Sequence, residues 1–150
     1  NLKNVTDFVF TDVAVNSKNQ VFSGNYAVVA DENGYFLIDQ KGKACFEKRF
    51  PNAKGMEGGY YAVADESGQW GFADEKGELV VPCQYVDAYS FSNQTAAVQY
   101  AGKWGYINRY GNMVIDAQFS TALPFLNGKA MVQDDQENIK VLELRYFDTF

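Results

Sequence analysis

Two stretches of the chain are near copies of each other. Gln69-Trp70-Gly71-Phe72-Ala73-Asp74-Glu75-Lys76-Gly77 recurs, 34 residues on, as Lys103-Trp104-Gly105-Tyr106-Ile107-Asn108-Arg109-Tyr110-Gly111. Each reads as a short aromatic strand running into a tight turn that closes on glycine. A period of this size marks a repeat architecture, whose units cannot bury a hydrophobic face alone and must stack on one another.

The copies extend well beyond these segments. One strand recurs as Ala27-Val28, Ala62-Val63, Ala97-Val98 and Met131-Val132, and the next as Tyr35 to Asp39, Trp70 to Asp74 and Trp104 to Asn108. Ile139-Lys140-Val141-Leu142-Glu143 takes the second strand's place in a last, partial unit. A third strand follows as Ala44-Cys45-Phe46, Leu79-Val80-Val81 and Met113-Val114-Ile115, and alanines 53, 88 and 122 hold the same register. Asp39 to Gly42, Asp74 to Gly77 and Asn108 to Gly111 place Asp or Asn first and Gly fourth. That is the preference of a type I turn, with a side-chain oxygen accepting from an amide two residues on and glycine taking the positive φ of the following bulge. The expected fold is all-β: tandem three-stranded antiparallel meanders of about 35 residues, each with an irregular tail.

One domain is expected over 1–150, made of an N-terminal half unit (1–24), repeats at 25–59, 60–94 and 95–128, and a partial C-terminal unit (129–150). Phe8-Val9-Phe10 falls in register with a third strand, so the two ends together make one further unit. Two arrangements protect the outer strands: an open twisted array with capped ends, or a small closed four-unit propeller-like ring. Three strands per unit are lean for a propeller blade, which favours the open array.

The signature residues Trp70, Gly71, Asp74, Gly77, Trp104, Gly105, Asn108 and Gly111, with apolar residues and a later Tyr or Phe after them, resemble the bacterial WG-repeat (KWG-repeat) family. The resemblance covers roughly 25–143. Unit one departs from it, with Tyr35-Phe36 in place of Trp-Gly before Gly42, and the last unit has neither Trp nor closing glycine. The resemblance implies a β-rich, non-catalytic repeat module of bacterial type that binds partners; the compartment is left open, with a lean to the outside of the cytoplasm. It brings no family functional residues to carry over.

The residues themselves supply little chemical equipment. Histidine, the commonest general base and transition-metal ligand, is absent. Two cysteines, Cys45 and Cys83, are too few for a structural zinc site, and a bridge between them is open. The acidic turns at Asp31, Asp65, Asp74 and Asp134 follow no calcium-loop pattern, and turn propensity accounts for them. No nucleophile elbow or phosphate-cradling glycine loop occurs. The expectation is therefore not an enzyme, with no cofactor and no metal. A net charge of −6 argues against nucleic acid as partner, and no apolar run approaches the roughly 20 residues of a membrane-spanning helix. The chain begins at Asn1, as a mature or trimmed form would.

The remaining signal is an aromatic content of 16%. Trp70 and Trp104 recur in register, as core positions must, and are expected to pack on the neighbouring unit, with Gly71 and Gly105 leaving room for the indoles. Tyr60, Tyr61, Tyr89, Tyr100 and Tyr110 do not recur and are the candidate binding aromatics. Protein is the expected partner; a glycan held on aromatic platforms, or a spacer with no partner, are the rivals.

Overall fold

The structure, a computed structural model, describes residues 9–144. Of Phe8-Val9-Phe10, expected in a third-strand place, Phe8 lies outside the described residues, and Val9 and Phe10 form no strand. Within them there is no helix, and fifteen strands form four antiparallel sheets, none closed into a barrel.

The first sheet contains β1 (Asp12–Val13), β2 (Phe22–Ser23), β3 (Tyr26–Asp31) and β4 (Gly34–Ile38). The second contains β5 (Asn52–Ala53), β6 (Tyr61–Ala64), β7 (Trp70–Ala73) and β8 (Leu79–Tyr85), in that spatial order. β9 (Asp87–Ala88), β10 (Thr95–Tyr100), β11 (Lys103–Asn108) and β12 (Met113–Phe119) repeat the arrangement in the third. The fourth has β13 (Thr121–Ala122), β14 (Lys129–Gln133) and β15 (Ile139–Glu143).

The tails expected to be irregular are thus ordered. Each opens the next sheet with a short strand: Ala53 pairs with Val63, Ala88 with Val98 and Ala122 with Val132. Two-residue turns then reverse the chain at Gly58-Gly59, Asn93-Gln94 and Asn127-Gly128, all six residues at positive φ. That is the type I′ geometry, whose twist suits a hairpin. The complete units therefore reach the four strands of a propeller blade, and the leanness expected from the sequence disappears. In the first sheet a loop around Asn16 splits the equivalent strand into β1 and β2. The Asn16 carboxamide oxygen accepts from the Lys18 and Gln20 amides at 2.9 and 3.0 Å, and its nitrogen donates to the Met56 carbonyl at 3.1 Å.

Strand register also corrects the alignment of unit one. Ala30 stands opposite Tyr35 as Ala64 stands opposite Trp70, so Val28-Val29 occupies the place expected for Ala27-Val28. Four residues lie between Ala30 and Tyr35, against five between Ala64 and Trp70, so that hairpin is shorter by one residue.

The Trp-Gly glycines have a purpose different from the one expected. β8 carries two extra residues opposite Gly71, and β12 bulges in the same way opposite Gly105. A Cβ on Gly71 would lie 2.4 Å from the Val81 carbonyl oxygen, and one on Gly105 2.6 Å from that of Ile115. The glycine makes room for the bulged backbone of its own sheet, not for an indole. Where Phe36 replaces it, the next segment makes only the isolated bridges Ile38–Ala44 and Tyr35–Phe50, and the Arg49 guanidinium lies 3.6 Å over the Phe36 ring.

The sheets bury their apolar faces against each other in sequence. Val28 and Leu37 meet Ala53, Tyr61 and Val63; Ala62, Phe72 and Val81 meet Ala88 and Phe91; Ala97, Trp104 and Tyr106 meet Ala122, Phe125 and Val132. The lateral turns are built alike: the Asp74 carboxylate accepts from the Lys76 and Glu78 amides, and Asn108 from those of Tyr110 and Asn112, at 2.9–3.0 Å. Gly42, Gly77 and Gly111 close these turns at φ near +80°.

Gly105→Ala is expected to destabilise the chain by about 1–3 kcal/mol, because its new methyl meets backbone that cannot step aside. Gly102→Ala, with nothing within 4 Å of its Cβ position, should cost about 1 kcal/mol through its positive φ alone. Urea unfolding of the two variants measures the difference.

Candidate functional site at the hairpin-turn end

The type I′ turns of the second, third and fourth sheets and the Asn16 loop come together at one end of the stack. Between them lies a cleft of about 290 Å³, lined on its walls by Lys18, Glu57, Tyr60, Asn93, Gln94 and Arg109. A second, apolar depression of about 480 Å³ adjoins it, lined by Lys18, Tyr89, Leu123, Pro124, Phe125 and Leu126. Lys18, Ser92 and Leu126 border both.

Arg109, in the turn after β11, donates to the Tyr60 hydroxyl at 3.2 Å, and its guanidinium carbon lies 5.4 Å from the Tyr60 ring centroid. Phe91 holds the ring from another side at 5.6 Å. Glu57 is buried, and both its carboxylate oxygens accept from the Ser17 hydroxyl at 2.7–2.8 Å. Gln94 adopts φ 64°, a conformation disfavoured without glycine. The cleft thus presents Arg109 held on Tyr60, the exposed Lys18, the Glu57 carboxylate and a rim of amides, in a chain whose net charge is −6.

The candidate aromatics separate sharply. Tyr60 and Tyr89 border these clefts, and Tyr110 is 76% exposed on the turn that carries Arg109. Tyr100 lies at the other end of its strand, edge-on to Tyr85 at 6.4 Å. Tyr61 is fully buried between the first two sheets and has no access to a ligand. Neighbouring strand residues face opposite ways, so only one of Tyr60 and Tyr61 can face the cleft.

The two tryptophans are engaged. Trp104 is buried with Tyr89 at 5.3 Å, and the Lys54 ammonium lies 4.9 Å from Trp70 and 5.2 Å from Tyr89 while pairing with Asp87 at 3.0 Å. Tyr35, in the equivalent place of unit one, donates its hydroxyl to the Asp12 carboxylate. Cys45 and Cys83 are free, and burial pushes both thiols up. Among the described residues no group of His, Cys, Asp and Glu is placed to hold a metal ion.

Sequence reading missed Lys18, Glu57 and Arg109 as site residues. Arg109 lies inside the turn of the repeat motif, and Lys18 in the polar stretch Asn16-Ser17-Lys18-Asn19-Gln20. Their proximity follows from turns about 35 residues apart in sequence stacking in space.

Antiparallel sheets of three or four strands, stacked face to face and not closed into a barrel, define an all-β repeat protein. The repeats are those of a described family: the model for the WG containing repeat matches residues 70–104 and 104–137, and these two units are WG repeats. No curated protein matches the chain in sequence. Among solved structures it is similar to the computationally designed Ika4 protein, at 12% identity and a TM-score of 0.56 over 93% of each chain. It is also similar to Hsv2 of Kluyveromyces lactis (13%, TM-score 0.55) and to BamB from Moraxella catarrhalis (13%, TM-score 0.51), which are β-propeller-like. The chain is covered over 91% and 82% in these two, but spans only 45% and 41% of their lengths. At these identities the likeness concerns the fold alone.

Two buried tyrosines behave oppositely on mutation. The Tyr61 hydroxyl has no hydrogen-bond partner, whereas that of Tyr106 donates to the Leu123 carbonyl at 2.6 Å. Tyr61→Phe is expected to leave stability unchanged or raise it, and Tyr106→Phe to lower it by about 1 kcal/mol. Burial raises both hydroxyls well above the ordinary tyrosine range. Their contribution is therefore complete below the unfolded value of about 10 and is lost as pH rises past it. Alkaline unfolding should move to higher pH in Tyr61→Phe, as circular dichroism would record.

Proposed function

We propose that this chain is a non-enzymatic WG-repeat module that binds another protein through its hairpin-turn end. The observation that carries the reading is the meeting of Tyr60, Tyr89, Arg109 and Lys18, none of them a repeated position, beside two adjoining clefts. A regular stack needs only its repeated residues to fold. Lys18 and Arg109, exposed and outside the repeated pattern, serve recognition beside Tyr60 and Tyr89, whose rings pack on the core and border the clefts; Tyr and Arg are enriched where proteins meet.

The arrangement supports protein over glycan. A sugar platform needs an open aromatic face, but Tyr60 is held by Arg109 and Phe91 and Trp104 is covered. A cleft with an apolar half and a half carrying Lys18 and Arg109 suits a peptide segment that pairs an apolar side chain with a carboxylate.

Arg109→Ala and Lys18→Ala both lie on exposed positions and are expected to leave thermal unfolding within a degree or two of the parent. Affinity capture with parent and variants side by side should show a protein retained by the parent and lost by both variants. Binding unchanged in the variants would overturn the assignment of this end. Trp fluorescence that responded to sugars, with no protein retained, would favour the glycan reading.

A further inference from the structure

We propose that the docking of the first sheet on the second is selective: Gly55 and Tyr61, neither of them a repeated residue, let the second sheet accept the first and deny that place to the third and fourth. The three interfaces between sheets are filled in two different ways. Between the second and third sheets, Phe72 on the forward face meets Phe91 at 4.6 Å, with Ala96 and Ile107 beside them. Between the third and fourth, Tyr106 meets Phe125 at 4.8 Å, with Ala130 and Leu142 in the same places. Between the first and second the corresponding residues are Leu37, Met56, Tyr61 and Ala73. Strand register fixes the correspondence, since Tyr61 pairs with Ala73, Ala96 with Ile107 and Ala130 with Leu142. The ring has thus moved from the forward face of one sheet to the rear face of the next, where Tyr61 is fully buried and edge-on to Phe50 at 6.1 Å. Its hydroxyl has no hydrogen-bond partner, so the interface uses the ring and not the polar group. Interiors are packed to a nearly constant density. A forward face carrying Phe72 or Tyr106 would bring a second ring onto Tyr61, and one carrying Leu37 would leave a void against Ala96 or Ala130.

Gly55 selects independently. The backbone of Val15 and Asn16, from the loop that splits the first sheet's outer strand, lies against it, and a Cβ there would fall on that backbone well inside contact distance. The Gly55 amide donates to the Val15 carbonyl at 3.1 Å, and Asn16 Nδ2 donates to the Met56 carbonyl next along the chain. The φ of Gly55 is outside the left-handed region, so the glycine serves this close approach and not a turn. Ser90 and Pro124 hold the corresponding places in the third and fourth sheets, and their side chains take up the space that the loop needs. The same seat brings Ser17 to Glu57 and Lys18 to the cleft, so the joint that selects the first sheet also completes one wall of the candidate site.

The selection holds whatever binds at the cleft, and the two proposals fail separately. Thermal unfolding of the full chain tests it. Tyr61→Ala, which opens a void, should lower the melting temperature by about 10 °C, and Leu37→Phe, which overpacks, by about 5 °C. Together the two changes reproduce the Phe72–Ala96 arrangement, and the double variant should regain about half or more of the summed loss. The reverse cycle, Ala96→Tyr with Phe72→Leu, should behave alike, and it decides the matter if Tyr61→Ala fails to fold. Losses that merely add would show that any forward face suits any rear face, and would overturn the proposal. Gly55→Ser gives the second sheet the residue of the third. In hydrogen exchange the amide of residue 55, bonded to Val15 in the parent, should then lose protection while β10 and β11 keep theirs. Unchanged protection at residue 55 would remove Gly55 from the selection.

Discussion

One requirement shapes the molecule: each sheet carries large side chains on the face toward its successor, and water must be kept from them by the next sheet. Leu37, Phe72 and Tyr106 are each fully buried, yet none is covered by its own meander. Small residues opposite make the fit. Ala53, Ala88 and Ala122, from the short first strands, meet the larger side chains of the sheet before. Burying a side chain of this size is worth about 1.5–3 kcal/mol, so the stack is held by what one unit supplies to another.

The Trp-Gly pair couples that requirement to strand pairing. The tryptophan belongs to the face that the next sheet covers; the glycine lets the following strand bulge across its own sheet. The first and fourth sheets depart from the pair. Phe36 leaves the first sheet with only isolated bridges where β8 and β12 form full strands, and Lys140 stands at this position in the fourth.

The two clefts lie apart from the Trp-Gly positions of this scaffold. The hydrogen bonds and stacked rings of the repeated positions are consumed in folding, whereas Lys18, Tyr60 and Arg109 reach their places only because successive turns align at one end of the stack. The tryptophans, the most conspicuous residues in the sequence, are occupied by Lys54 and Tyr89.

The sequence alone determined the period, the all-β class, the Asp/Asn-to-Gly turns and the two WG repeats at 70–137, because these are local: turn chemistry and strand alternation act within a few residues. It also identified the aromatics that do not repeat. It did not separate Tyr60 from Tyr61, whose opposite fates depend on which face meets a neighbouring sheet. Nor did it reveal the ordered tails, since two-residue strands such as Asn52–Ala53 have too few residues to show alternation. The purpose of Gly71 and Gly105 was hidden for the same reason: a bulge is a relation between two strands. The tertiary structure decided which side chains are covered, which turns converge and which apolar face is left open, because all three depend on contacts between residues about 35 positions or more apart.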